Sequence, residues 1–318
     1  MSGNFADNLF IVTGAGGFLG RRLVKELFRR KALVAANSLE NWDDVKWYNQ
    51  NGEDNVLCTV GSFQEKASRI ARFINNNPRP KTIFFHMAGM SHAGECEIMP
   101  EAAFAANVNT TFQVLCFCKD NGVTDLIYPS TCRVYDDSSE VPLNERAPVS
   151  PQNYYAITKL TAEELIKQYC KAYPLKGVIA RFSNIYGPGS HPDTVINTIL
   201  EQIKTGRDVR VRDIGPVCDF IHLEDAIEGL LRLMRLEHET ACEIINVSSG
   251  YGVSIGKLIE MAYSASGEQS PDLSAVRSRS ISKSHLVLDN NKLFTLTGWR
   301  PKISLSAGLK RAFKMKSE

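Results

Sequence analysis

The chain is predicted to be an α/β protein, built on a doubly wound parallel sheet with a smaller C-terminal α/β lobe. Three observations lead there. Short, wholly apolar segments alternate with amphipathic helical segments through the first 180 residues. Such strands belong to sheets covered on both faces. A glycine-rich loop joins the first strand to the first helix, and the alternation loosens after residue 186, where Gly-, Pro- and Asp-rich loops enter.

Leu9 to Val12 is the first apolar run, and the helix after it carries Leu23, Leu27 and Phe28 on one face. Strands are predicted at Leu33–Ala36, Val56–Val60, Thr82–His86, Leu126–Tyr128 and Val178–Ala180. Residues 63–75 form a helix with Ile70 and Ile74 inward, stopped by Asn75-Asn76-Asn77-Pro78. Beyond residue 186, loops are expected at 187–193 and 213–219, helices at 194–204, 223–236 and 254–265, and irregular surface at Ser264–Ser284. The expected division is a cofactor domain, 1–180, and a substrate lobe, 181–318, interwoven with it.

Composition excludes several classes. The 37 Lys+Arg nearly balance 35 Asp+Glu, which argues against a nucleic-acid partner. The 43% hydrophobic and 23% charged residues are those of a globular protein rather than a disordered one. No apolar run reaches the roughly 18 residues of a membrane span, so no membrane partner is expected. Met1–Phe10 lacks the features of a secretory leader. The eight cysteines are scattered, with no Cys-x-x-Cys pair and no zinc spacing. Reduced thiols, a cytoplasmic location and no metal are the expectations.

Gly14, Gly17 and Gly20 are spaced for a tight turn, a close backbone approach to a pyrophosphate, and close helix–strand packing. The helix N-terminus at Phe18 and Leu19 then presents its dipole and N–H groups to the phosphates. An acid at the end of the second strand would bind the NAD ribose. Asn37-Ser38 stands there instead, and Arg21, Arg22 or Lys46 is available to a 2′-phosphate, so NADP is favoured over NAD.

Tyr155 and Lys159 lie four apart at the start of a helix and share a face. A nearby ammonium lowers a phenol's pKa, so Tyr155 can take a proton from an alcohol near neutrality. Thr131 follows the fifth strand, where sites form in such folds, and can hydrogen-bond the same oxygen.

With these residues in place, the chain resembles the extended short-chain dehydrogenase/reductase family of nucleotide-sugar epimerases and dehydratases, with a Rossmann-like fold. The resemblance rests on Thr13–Gly20, His86-Met87-Ala88-Gly89, Asn107–Thr111, Thr131–Tyr135, Tyr155 with Lys159, Arg181–Gly189, Asp219–Asp225, Asn246–Gly250 and Gly298–Pro301. It implies cofactor contacts from Gly14, Gly17, Phe18, Leu19, Gly20, Ser38, Ser62, Ala88, Gly89, Asn107, Tyr155 and Lys159. It implies substrate contacts from Thr131, Cys132, Asn184 and Arg279, and catalysis by Tyr155, Lys159 and Thr131. The implied reaction is hydride transfer at C4 of a nucleotide-activated sugar, with Tyr155 as acid/base, as in an epimerase. The alternatives are an NADPH-dependent 4-keto-sugar reductase, a dehydratase variant using Cys132, and a cofactor-binding protein without catalysis. Three departures stand out. Cys132-Arg133 replaces the Asp-Glu of family dehydratases. Cys218 replaces a diphosphate-gripping Arg, for which Arg279, Arg210 or Arg212 would compensate. Gly61-Ser62 replaces an adenine-touching Asp. A homodimer is expected, through helices near 101–119 and 153–172 with Phe104, Phe112, Leu115, Leu160, Leu165 and Ile166 on their apolar faces.

Overall fold

The computed structural model describes residues 5–42, 55–137, 140–236, 240–269 and 284–314. Arg279 and Lys46 lie outside them. The chain forms two compact units. The first takes Met1–Ser130, Pro151–Ala180 and Leu230–Ile244; the second takes Thr131–Ser150, Arg181–Gly229 and Ile245–Glu318.

The predicted apolar segments are strands β1 (Asn8–Thr13), β2 (Leu33–Ser38), β3 (Val56–Val60), β4 (Lys81–His86), β5 (Asp125–Thr131) and β6 (Lys176–Phe182). With β9 (Cys242–Val247) they make a seven-stranded sheet in the order β3-β2-β1-β4-β5-β6-β9. Pairing is parallel from β3 through to β5, and Thr13 at the end of β1 lies level with both Asn37 and His86. This is a Rossmann-like, doubly wound sheet, and its order reverses beside β1, where such folds hold ligands outside the carboxyl ends of the strands. Strand β9 was not anticipated, because Glu243 and Asn246 interrupt its apolar run.

Helix α1 (Phe18–Arg29) buries Leu23, Val24 and Leu27. Helix α2 (Phe63–Asn76) buries Phe63, Ile70 and Ile74. Phe63 meets Phe84 and Phe117 edge-on, with ring centres 5.7 and 5.2 Å apart. Each such side chain contributes about 1.5–3 kcal/mol by leaving water. Helix α3 (Ala93–Ile98) precedes a continuous helical run formed by α4 (Pro100–Phe104), a single π turn (Ala105–Asn109) and α5 (Thr110–Asp120). Helix α6 (Tyr154–Ala172) is capped by Asn153, whose Oδ1 accepts the Ala156 N–H at 2.8 Å. Leu115 and Ile166, expected on a subunit interface, are instead fully buried in this unit's own core. Phe104 and Phe112 are exposed.

In the second unit, β8 (Val217–His222) pairs with β7 (Asn184–Tyr186), β10 (Gly252–Ser254) and β11 (His285–Leu286). The expected loop at 213–219 is therefore strand from Val217 onward; Asp213 to Pro216 carry the turn signals, and Cys218 already belongs to the apolar run. Helices α7 (Val195–Lys204), α8 (Leu223–Leu233), α9 (Ile255–Ser266), α10 (Asn291–Thr297) and α11 (Leu305–Lys314) complete the lobe's elements, α8 continuing into the first unit. Ile196, Ile199, Phe220, Leu258, Ile259 and Leu309 form its core. Among the described residues, no helix is long and apolar enough to cross a membrane.

A Cβ on Gly20 would sit 2.1 Å from the Gly14 carbonyl oxygen. Gly20→Ala should therefore force α1 off β1 and destabilise the protein by about 1–3 kcal/mol in urea unfolding. An unchanged midpoint would show that the loop absorbs the methyl group.

Candidate active site

The loop after β1 is shaped for close approach. Gly14 has φ +64°, and a Cβ there would meet Ala88 N and Met87 C at 2.7 Å. Gly89 has φ +149°, and its Cβ would lie 2.3 Å from Asn107 Oδ1. Gly17 is the N-cap of α1 and provides no side-chain cap. The first N–H groups of the helix, at Phe18 and Leu19, thus have no intrahelical acceptor and present partial positive charge to an anion.

The end of β2 is polar and uncharged. Asn37 donates from Nδ2 to Thr59 Oγ1 at 3.1 Å and to the Gly61 carbonyl at 3.2 Å, so its amide braces β3. Ser38 is buried against Gly16, where a Cβ would lie 2.7 Å from its hydroxyl. Ser62 serves as a helix cap, its Oγ accepting the Glu65 N–H at 3.3 Å while Glu65 accepts the Ser62 N–H. Trp42, which sequence reasoning passed over, packs on the same loop, 3.2 Å from the Cβ position of Gly16. Its buried Nε1 and the buried Asn107 Oδ1 have no hydrogen-bond partner among the described residues. A donor and an acceptor left over beside an anion-receptive helix end suit a phosphate-bearing ligand with hydrogen-bonding groups of its own. A Trp just past a strand end carries no sequence signal that separates it from a surface residue.

Asn107 links this loop to α6. Its Nδ2 donates to Met90 O at 3.0 Å and to Thr158 Oγ1 at 2.9 Å. The π turn that contains it gives the extra residue needed to aim the amide inward. Thr158 stands beside Lys159, and Tyr155 lies one turn earlier, half-buried. The Lys159 ammonium is buried, 4.2 Å above the Tyr128 ring. Burial lowers its pKa to about 8, opposed by the Glu163 carboxylate. His86 is fully buried between Thr13 Oγ1 at 2.8 Å and Thr111 Oγ1 at 3.0 Å, and burial lowers its pKa to about 3. It is a neutral core histidine. The first unit thus brings together Gly14, Gly17, Phe18, Leu19, Gly20, Ser38, Ala88, Gly89, Asn107, Tyr155 and Lys159.

In the second unit, Thr131 is buried at the end of β5, and its Oγ1 accepts the Arg133 N–H at 3.2 Å. Asn184 donates to the Asp219 carbonyl at 3.0 Å. Asp219 is itself buried, its carboxylate accepting from Ser249 N, Ser249 Oγ and Gly250 N. Cys132 is buried beside Cys218, and desolvation pushes its thiol up to about 12. It is protonated near neutrality, which removes it as a base. Arg279, the remaining candidate, lies outside the described residues. In the folded protein Cys132 should resist iodoacetamide at about pH 8, read by mass spectrometry of its peptide; labelling at the rate of a free thiol would show an ionised sulfur.

Comparison with known proteins identifies the family. Residues 10–248 match the NAD dependent epimerase/dehydratase family. The chain is 26% identical over 294 residues to UDP-glucose 4-epimerase of Mus musculus, covering 82% of this chain and 83% of that protein. It is 26% identical over 330 residues to dTDP-D-glucose 4,6-dehydratase of Homo sapiens, covering 99% and 91%. The UDP-glucose 4-epimerase of Thermotoga maritima, solved with UDP-glucose, superposes with a TM-score of 0.79 at 25% identity, covering 95% and 96%. A glycine loop leading into an uncapped helix, a Tyr–Lys pair one turn apart, and a family match over three-quarters of the chain have one common explanation: this chain belongs to the NAD dependent epimerase/dehydratase family.

Proposed function

We propose that this chain is an NAD(P)-dependent 4-epimerase of a nucleotide-activated sugar, with the cofactor held by the first unit and the sugar nucleotide by the second. The observation that carries it is the unbroken run of contacts from Gly14 through Ala88, Gly89, Asn107 and Thr158 to the buried Lys159, one turn from Tyr155. UDP-glucose, UDP-glucuronate and dTDP-glucose 4-position enzymes among the relatives supply the substrate class.

The Phe18 and Leu19 N–H groups would hold the cofactor pyrophosphate, with Trp42 Nε1 as a further donor, while Asn107 Oδ1 would accept from an O–H or N–H elsewhere on the cofactor. The chemistry that bound NAD would supply is a reversible hydride acceptor. Tyr155 takes the proton of the sugar C4 hydroxyl and later gives it back. Lys159 stabilises the phenolate, and Thr131 orients the reacting oxygen. Asn184, at the second unit's Asp219, contacts the diphosphate region. Tyr155→Phe should lower kcat by about 10²–10⁴-fold, the usual worth of an acid/base group, with little change in KM. The assay is NMR of UDP-glucose and UDP-glucuronate for the C4 epimer, without added cofactor. Unchanged turnover in the variant would overturn the assignment of Tyr155.

A second reading, an NADPH-dependent 4-keto-sugar reductase, is favoured by one observation: β2 ends in Ser38, with no acid to repel a 2′-phosphate. Denaturing the protein as purified and identifying the released dinucleotide separates the two cofactors. Epimer formation with no net nicotinamide change removes the reductase.

The chain also presents Phe104, Phe112, Tyr154 and Ile157 to solvent from α4, α5 and α6. Exposed aromatic and aliphatic side chains on neighbouring helices suit a homodimer. Phe112→Glu should halve the mass measured by light scattering, whereas a monomeric parent would dismiss the dimer.

A further inference from the structure

The Lys159 ammonium is buried at the heart of the first unit, and the groups facing it are nearly all neutral. From β4 it faces His86, held uncharged by complete burial. From β5 it faces the Tyr128 ring at 4.2 Å, and burial keeps that phenol protonated. From α3 it faces Cys96, whose thiol burial raises. On its own helix it faces Tyr155 and Glu163. Glu163 lies one turn beyond Lys159 and is fully buried, with no solvent exposure at all. Its Oε1 accepts a hydrogen bond from Ser130 Oγ at 2.5 Å. Tyr155, Lys159 and Glu163 therefore occupy one stripe of α6, at intervals of four residues. A buried ammonium among neutral walls requires a fixed counter-charge, and a buried carboxylate requires a donor to hold it.

We propose that Glu163, oriented by Ser130, is the counter-ion that keeps the Lys159 ammonium charged beside Tyr155, a positioning residue for the proton transfer. This rests on the assignment of Tyr155 and Lys159 above. Glu163 touches neither substrate nor cofactor; it acts through Lys159. Ser130 has a corresponding part. It precedes Thr131 in the chain, and its hydroxyl fixes the carboxylate rather than a ligand.

The sign of the effect is definite. Burial draws Lys159 down and Glu163 draws it up. Without Glu163 the ammonium loses its proton at lower pH, and Tyr155 then loses its cation. In Glu163→Gln the alkaline limb of kcat against pH should move down by about one pH unit or more. KM should change little. Glu163→Asp, which keeps the charge, should recover most of the shift. Ser130→Ala should move the limb in the same direction by less, and it serves as the test where Glu163→Gln does not fold. NMR titration of the Lys159 side-chain nitrogen, in protein without substrate, should show the same downward movement. Activity lost equally at every pH, with the Lys159 midpoint unmoved, would overturn the proposal. A moved midpoint in a protein that turns over no sugar nucleotide would uphold Glu163 as the counter-ion and fail the epimerase reading instead.

Discussion

Taking an ammonium out of water is costly, and much of the first unit is arranged so that Lys159 can be buried. The cost is several kcal/mol for an unpaired ion, more than any single apolar contact returns. It is met by a ring face from Tyr128, by a carboxylate one turn away, and by neighbours that carry no competing positive charge. His86 matters here for what it does not do. Two threonine hydroxyls and complete burial keep the imidazole neutral, so no second cation sits against the first. The hydrogen bonds that fix His86 run on through Thr111 to the Asn107 carbonyl, and the Asn107 amide reaches Thr158 beside Lys159. One network therefore ties the end of β1 to the helix that carries the lysine.

The glycine loop solves the opposite problem. Lys159 is a charge placed where there is no water; the start of α1 is partial positive charge left without a protein partner. Side chains are excluded there by backbone contact, at Gly14 against Met87 and Ala88 and at Gly20 against Gly14. Both features follow from where the chain ends its strands. Thr13 and His86 end their strands level with each other and with Asn37, one residue before the end of β2, so the groups that follow emerge at one edge.

The regular parts of this arrangement were legible from residue order. Strands β1 to β6 are bounded apolar runs, and α1 and α2 place leucines and isoleucines at helical spacing, so periodicity found them. Strand β9 was missed because Glu243 and Asn246 break its pattern, and β8 because Asp213 to Pro216 read as a loop that continued. Gly14, Tyr155 and Lys159 stand in patterns that carry their own chemistry. Residues whose importance depends on burial were not legible. Glu163 is one of many acids on helices until its exposure is known, and Trp42 is one aromatic in a polar stretch. Leu115 and Ile166 show the limit from the other side: an apolar helix face does not say which neighbour covers it. Cys132 was ambiguous for the same reason, and only complete burial shows its thiol to be inert.

The division into two units follows no single cut in the chain. The first unit is left at Ser130, re-entered at Pro151, left again at Ala180, and completed only by Leu230–Ile244. Strand β9, which borders β6, therefore arrives only after the second unit's first two segments, Thr131–Ser150 and Arg181–Gly229, have been made. As the polypeptide leaves the ribosome, the seven-stranded sheet must wait with the backbone of β6 unpaired on that side, a template for wrong pairing. A chain terminated at residue 180 would contain the glycine loop, Tyr155, Lys159 and Glu163, yet keep that edge open permanently. The order of synthesis thus leaves the seven-stranded sheet incomplete until β9, when most of the chain has already been made.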